Sequence, residues 1–277
     1  MKKILCGFAV LMVAVGGWAA AQANEIVARI AFVSDTHVTL GTNEGKMAYN
    51  RRLDQAVAEI NAANVDLVLI AGDLTDGGTR EQMALFKRKV KPLKAPVLFV
   101  PGNHDVGMVG DDTVKKTITP EKVKLFSREL GPNWYACEKA GVRIVGINSC
   151  LFGSGFKEEE DQWQFLEMEL AKPQAKPTFL LEHYPLFIKQ VDEPRIGTWN
   201  VQPELRKRLL ALIEQGGVKT VLTGHLHYPI TNRLDGILFL GNTTTAFGLP
   251  RGKQPEGWML LSVPREGEVQ FDFRKLE

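Results

Sequence analysis

Cysteine is nearly absent from this 277-residue chain: Cys6, Cys137 and Cys150 are its three. No Cys-x-x-Cys pair occurs, so thiolate metal sites and disulfide-stapled scaffolds are excluded. A charge of one sign is missing too, with 34 Lys and Arg against 32 Asp and Glu and a formal net charge of +2. A chain without a basic excess is not built to hold nucleic acid or an anionic membrane, and an anionic partner must be attracted locally, by cations in a cleft. The densest basic stretch, Lys87–Lys94 with five cations, reads as a solvated helix end. Repeats, low-complexity tracts and Pro/Ser linkers are also missing beyond Asn24, which leaves one domain from Asn24 to Glu277.

What is present begins with a secretory signature over residues 1–23. Lys2 and Lys3 supply the positive start, Ile4–Trp18 the apolar run, and Ala21-Gln22-Ala23 the small residues of a cleavage site. Gly16 and Gly17 weaken the segment as a permanent anchor. The expectation is a periplasmic or secreted protein cleaved after Ala23, with no stable membrane association afterwards. Removing Lys2 and Lys3 would take the formal charge to zero.

Beyond it, apolar strand-like runs alternate with helical periodicity. Ile26–Ser34, Asp66–Ala71 and Val97–Pro101 read as buried strands, separated by helices over Lys46–Ala63 and Thr79–Val90. This βαβαβ pattern implies parallel pairing with right-handed crossovers. Gly110–Thr119 is polar and irregular, and Thr119 with Pro120 then starts a helix to Leu130. A hairpin is expected from Trp134–Glu138 and Val142–Asn148, turned at Lys139-Ala140-Gly141. That register pairs Cys137 near Arg143 and leaves Cys150 roughly 20 Å further along its strand, so both should be free thiols. Helices over Glu158–Ala171 and Pro203–Gln215 each precede a strand, Thr178–Glu182 and Val218–Thr223. Short strand runs near Tyr228–Arg233, Ile237–Gly241, Trp258–Val263 and Val269–Arg274 complete the chain. The α/β pattern suggests two sheets packed face to face and flanked by helices.

All five histidines fall within a short series of motifs: Asp35-Thr-His37, Gly72-Asp73, Gly102-Asn103-His104-Asp105, His183-Tyr-Pro185 and Gly224-His225-Leu-His227. Each motif follows a predicted strand, and in parallel sheets those C-terminal ends gather along one edge, where α/β folds place their ligand sites. Asp35, His37, Asp73, Asn103, His183, His225 and His227 are then candidate metal ligands. Seven donors exceed what one ion needs and suit two divalent ions sharing Asp73. Imidazole, carboxylate and amide donors suit Mn, Fe or Zn. Two such ions can clamp a phosphoryl group and generate a hydroxide at neutral pH.

The ordered motif series, spanning residues 35 to 227, resembles the calcineurin-like metallophosphoesterase superfamily. The C-terminal half is similar to the calcineurin-like phosphoesterase-domain-containing (CPPED-type) proteins, through His183-Tyr-Pro-Leu-Phe187, Asp192-Glu-Pro194, the Arg206–Leu212 helix, Gly217-Val-Lys219 and Thr245–Gly252. The resemblance implies a four-layer α/β/β/α sandwich of two mixed sheets flanked by helices. It implies hydrolysis of phosphate esters, with a metal-bridging hydroxide attacking phosphorus. Asp35, His37 and His227 would hold one ion, Asn103, His183 and His225 the other, and Asp73 would bridge. His104 would protonate the leaving group or hold phosphoryl oxygens, and Asp105 would orient its other ring nitrogen. The resemblance leans to monoesters; a phosphodiesterase, cyclic nucleotide type included, and a non-catalytic metal-binding module are the alternatives.

Two departures narrow the class. Asp73-Leu-Thr-Asp76 lacks the tyrosine that purple acid phosphatases place three residues after the bridging aspartate, and Gly77-Gly78 stands where cytosolic Ser/Thr phosphatases carry Arg-Gly. Arg195, Arg251, Trp199 and Asn200, in loops near His183 or beyond His227, are candidates for shaping substrate choice.

Overall fold

The computed structural model describes residues 25–110 and 117–277. The expected signal segment, residues 1–23, lies outside the described residues, as does most of the irregular stretch after Gly110.

The first half builds β1 (Ile26–Val33), α1 (Glu44–Ala62), β2 (Leu67–Ala71), α2 (Arg80–Val90) and β3 (Val97–Val100). α1 forms because Tyr49, Leu53, Ala56, Val57 and Ile60 recur at helical spacing and are all buried on one stripe. It starts two residues before the expected Lys46 because the Asn43 side chain accepts the Lys46 backbone N–H, satisfying an otherwise unpaired donor. Thr79 caps α2 in the same way. A single turn of helix, α3 (Asn103–Val106), follows β3 directly. α4 (Pro120–Glu129) opens with Thr119 as its cap and Pro120 in the first turn, as the sequence indicates.

The second half contributes β4 (Tyr135–Lys139), β5 (Val142–Gly146), α5 (Lys157–Leu170), β6 (Thr178–Leu181), α6 (Pro203–Gln215), β7 (Thr220–Thr223), β8 (Ile230–Leu234), β9 (Ile237–Gly241), β10 (Gly257–Pro264) and β11 (Gln270–Lys275). The β4–β5 hairpin differs from expectation by one residue. Ala140 and Gly141 both take positive φ, at 50° and 77°, forming a two-residue turn. Lys139 therefore pairs with Val142, and Cys137 faces Ile144 rather than Arg143. Cys150 lies beyond β5 in a single 3-10 turn, Ser149–Leu151, and both cysteines are free.

Two mixed sheets result. The first has the order β11-β10-β1-β2-β3 and the second β4-β5-β6-β7-β9-β8. β1, β2 and β3 are parallel, and β10 lies antiparallel beside β1. β5, β6, β7 and β9 are parallel to one another, with β4 and β8 antiparallel at the edges. Ile30, Phe32, Leu67 and Leu69 from the first sheet meet Ile144, Phe179, Leu181, Leu222 and Leu240 from the second. Residues on the opposite faces, Val68, Ile70, Leu180 and Val221 among them, pack against helical Leu53, Ile60, Phe86, Trp163, Leu166 and Leu209. This is the expected layering of helix, sheet, sheet and helix, with each buried Leu or Ile stabilising it by roughly 1.5–3 kcal/mol.

Candidate metal centre at the strand ends

Parallel pairing puts the C-terminal ends of β1, β2 and β3 along one edge of the first sheet, and those of β6, β7 and β9 along one edge of the second. Asp35 and His37 follow β1, Asp73 follows β2, Asn103 follows β3, His183 follows β6, and His225 and His227 follow β7. All seven are buried. Asp35, His37, Asp73, His225 and His227 also take positive φ, between 42° and 71°. Non-glycine residues seldom adopt that region, and its cost of order 1–3 kcal/mol concentrates at functional sites.

The side chains form two groups joined at Asp73. Asp35, His37, Asp73 and His227 bring ligand atoms together in one, and Asp73, His183 and His225 in the other. Asp73 Oδ2 lies 3.6 Å from His37 Nε2 and Oδ1 lies 3.4 Å from His183 Nε2. His227 Nε2 is 3.2 Å from Asp35 Oδ1 and 3.1 Å from His37 Nε2. Asn103 Oδ1 sits 2.9 Å from His183 Nε2. Glycine is required where these groups close in. A Cβ on Gly72 would lie 2.5 Å from His183 Nδ1, and one on Gly102 would collide with the Asp73 backbone.

Three of these rings are tethered by a backbone carbonyl. His183 Nδ1 bonds Ala71 O at 2.8 Å, His225 Nε2 bonds Thr198 O at 3.0 Å, and His227 Nδ1 bonds Phe247 O at 2.6 Å. A carbonyl can only accept, so the tethered nitrogen carries the hydrogen, and the other nitrogen presents a lone pair whenever the ring is neutral. That is how outer-shell groups prepare imidazoles for a metal.

Electrostatics divide the rings: His37 and His225 favour the neutral form, His183 and His227 the charged one. Burial alone would raise the Asp73 carboxyl, but His183, His104 and His37 around it hold it well below the usual range. Burial opposes charge on His183, yet the Asp73 carboxylate overrides it and lifts the pKa to about 9. Burial keeps His37 and His225 well below an ordinary histidine. Two buried carboxylates among four clustered imidazoles attract positive charge, proton or cation alike, and the donor set fits a divalent metal centre.

Residues 28–229 match the calcineurin-like phosphoesterase family. The chain belongs to that family.

It is 32% identical over 218 residues to the probable glycerophosphodiester phosphodiesterase GpdQ of Arcobacter nitrofigilis, covering 75% of each chain. It is 26% identical over 231 residues to the serine/threonine-protein phosphatase CPPED1 of Homo sapiens, covering 78% of this chain and 70% of that one. The fold also matches a dimetal phosphatase from Danio rerio, with a TM-score of 0.58 at 11% identity over 91% of this chain and 97% of that one. As a calcineurin-like phosphoesterase, the chain is a metallophosphoesterase acting on phosphate esters.

The remaining site residues of this phosphoesterase divide unevenly. His104 is exposed on α3; its backbone N–H donates to Asp73 Oδ1 at 2.8 Å and its Nδ1 bonds Asp76 O at 2.9 Å. Asp105 does not orient that ring, contrary to expectation. Its carboxylate accepts from the backbone of Leu74, Thr75 and Gly102 and from the Thr75 hydroxyl, at 2.7–3.0 Å. It is a buried brace that shapes the turn presenting Asp73, and burial beside Asp73 lifts its carboxyl to about 6.

Sequence reasoning missed the support behind Asp35. After β9, the Thr244 hydroxyl donates to Asp35 O at 2.8 Å and Asn242 Nδ2 to Phe32 O at 2.7 Å, while the Ser34 hydroxyl donates to the Asp35 carboxylate. The signal was readable: Asn242–Thr245 is a polar run at the end of an apolar strand, and it is fully buried. Phe247 was missed as well. Its ring lies 4.4 Å from His227 and 5.0 Å from His37.

Proposed function

We propose that this protein hydrolyses phosphate esters at a centre of two divalent ions, with a preference for monoesters. Asp35, His37 and His227 would hold one ion, Asn103, His183 and His225 the other, and Asp73 both. The observation that carries this is the pair of ligand groups meeting at the Asp73 carboxylate. When bound, ions of the Mn, Fe or Zn class neutralise charge on the phosphoryl oxygens and make water acidic enough to attack phosphorus.

The chain's own part follows from its geometry. Asp73 is held by the His104 backbone N–H, which fixes the carboxylate between the two groups. His104 keeps Nδ1–H on the Asp76 carbonyl, and its Nε2 makes no hydrogen bond among the described residues. A protonated Nε2 can therefore give its proton to the departing alkoxide. The Asp76 carbonyl accepts from Nδ1 in either protonation state, so the ring stays oriented through the transfer.

Two guanidiniums support the monoester reading. Arg251 lies over the Phe247 ring at 3.9 Å with both terminal nitrogens 3.1 Å from Tyr49 Oη. Arg195 donates to Val109 O at 3.2 Å and shares a small pocket with Tyr184, whose ring lies 4.5 Å from His225. Each donates to a neutral acceptor among the described residues, and Arg251 reaches the centre across the Phe247 ring, able to balance a second negative charge. The diester reading has its own support in the likeness to GpdQ.

Metal analysis and paired mono- and diester kinetics test both parts. Two ions per chain, loss of activity on chelation and a higher kcat/KM for the monoester are expected. A reproducible single ion with full activity would contradict the shared Asp73; a diester preference would replace the monoester reading.

We also propose that the chain is exported and loses Met1–Ala23, on the strength of the Lys2-Lys3 start, the apolar run and the Ala21-Gln22-Ala23 end. No helix among the described residues is long and apolar enough to cross a membrane. Sequencing the exported protein should find its first residue within a few positions of Asn24; recovery of Lys2–Trp18 would overturn cleavage.

A further inference from the structure

The segment 188–202, between β6 and α6, is an irregular loop locked from within. The Glu193 carboxylate accepts from the backbone of Ile188, Lys189 and Gln190 and from Asn200 Nδ2, at 2.6–3.1 Å. Asn200 Oδ1 accepts from Ile196 N at 2.8 Å. Arg206 on α6, 1% exposed, donates to the carbonyls of Val191, Glu193 and Val201 at 2.7–2.8 Å. A loop with this many internal bonds holds its crest in place.

On that crest sits Trp199, 40% exposed. An indole left this open beside a catalytic centre has a face available for contact. Its ring lies 5.3 Å from the His225 ring, tilted by 41°, and the preceding residue, Thr198, supplies the carbonyl that tethers His225. The other aromatics near cations are already covered: Lys46 lies over Tyr49, Arg208 over Trp163 and Arg251 over Phe247. Among the described residues no cation covers Trp199. Arg195, four residues earlier, forms no ion pair among the described residues and donates to the Val109 carbonyl. A part-exposed indole and a guanidinium without an ion pair among the described residues thus share one internally bonded loop beside His225.

We infer that Trp199 determines specificity by stacking on a planar aromatic group in the organic part of the ester, benzenoid or heterocyclic, while Arg195 attracts the anion to the same wall. This rests on the two-ion phosphoesterase reading above, but it can be tested without turnover. Phosphonates cannot be hydrolysed at carbon–phosphorus, so binding of phenylphosphonate and cyclohexylphosphonate to the metal-loaded protein isolates ring planarity at matched size and charge. Calorimetry on the wild type should give roughly fivefold tighter binding of the planar ring. Trp199→Ala should bring the ratio near one, and Trp199→Leu, which keeps an apolar side chain against His225, should do the same. Trp199→Phe should retain most of the preference. An adenosine phosphonate run in parallel shows whether the wall favours a heterocycle or a benzenoid ring, and dependence on residue 199 in either keeps the inference. Metal content of each variant separates lost stacking from lost His225 support. If no substitution at 199 changes the planar-to-saturated ratio with the metal intact, the inference is wrong. If wild-type protein binds phosphonates with this ratio yet hydrolyses no ester, the functional reading fails while the inference about Trp199 stands.

Discussion

His104 differs from the other four histidines in exposure: they are buried with ligand atoms near Asp35 or Asp73, whereas His104 is exposed. In bonding it is like His183, His225 and His227, tied to a carbonyl, here that of Asp76. The role proposed for it predicts a specific asymmetry. His104→Ala should retain both ions while losing rate by roughly 10²–10⁴-fold on alkyl esters. The loss should shrink on nitrophenyl esters, because a nitrophenolate departs without a proton. Metal content with rates on both substrates checks this, and an equal deficit on both would leave His104 as a holder of phosphoryl oxygens. At this scale the residue letters were informative: Asp, His and Asn at strand ends pointed to side chains that the fold does bring together. The carbonyls of Ala71, Thr198 and Phe247 were not, because a backbone acceptor is common to every residue and only the fold selects which one meets a ring.

Elements read from local patterns were legible where the physics is local. The Thr119-Pro120 start of α4 and the buried stripe of α1 are written in neighbouring residues. The β4–β5 hairpin was misregistered because its turn length depends on Ala140 taking a positive φ, which residue type does not announce. The segment around Arg195, Trp199 and Asn200 was legible only as a loop near His183, because its internal bonds run between side chains and backbone without a repeating period. Arg206 is its buried centre, so Arg206→Met should leave three carbonyls unmatched and cost about 1–3 kcal/mol for each that stays unsatisfied. With the loop freed from Arg206, its Thr198 carbonyl should tether His225 less well, and affinity for the ion that His225 would hold should fall roughly 10–100-fold. Thermal unfolding together with metal titration checks both effects. A lower melting temperature with unchanged metal affinity would mean that the loop supports the fold alone.

The whole molecule places the site where two sheets meet. β1, β2 and β3 deliver Asp35, His37, Asp73 and Asn103 from one sheet, and β6 and β7 deliver His183, His225 and His227 from the other. Neither sheet holds a complete centre. The sandwich, packed through Phe32, Leu69, Phe179 and Leu222, is what brings the two sets within ligand distance. The amino-acid sequence by itself determined the strand–helix alternation, the motif order and the donor chemistry, because these depend on periodicity and residue type over short spans. Only the tertiary structure decided that Asp105 braces the Asp73 turn rather than His104, that Asn242–Thr245 stand behind Asp35, and that Trp199 lies open beside His225. Those depend on which segments, far apart in the chain, the packing of the two sheets makes neighbours.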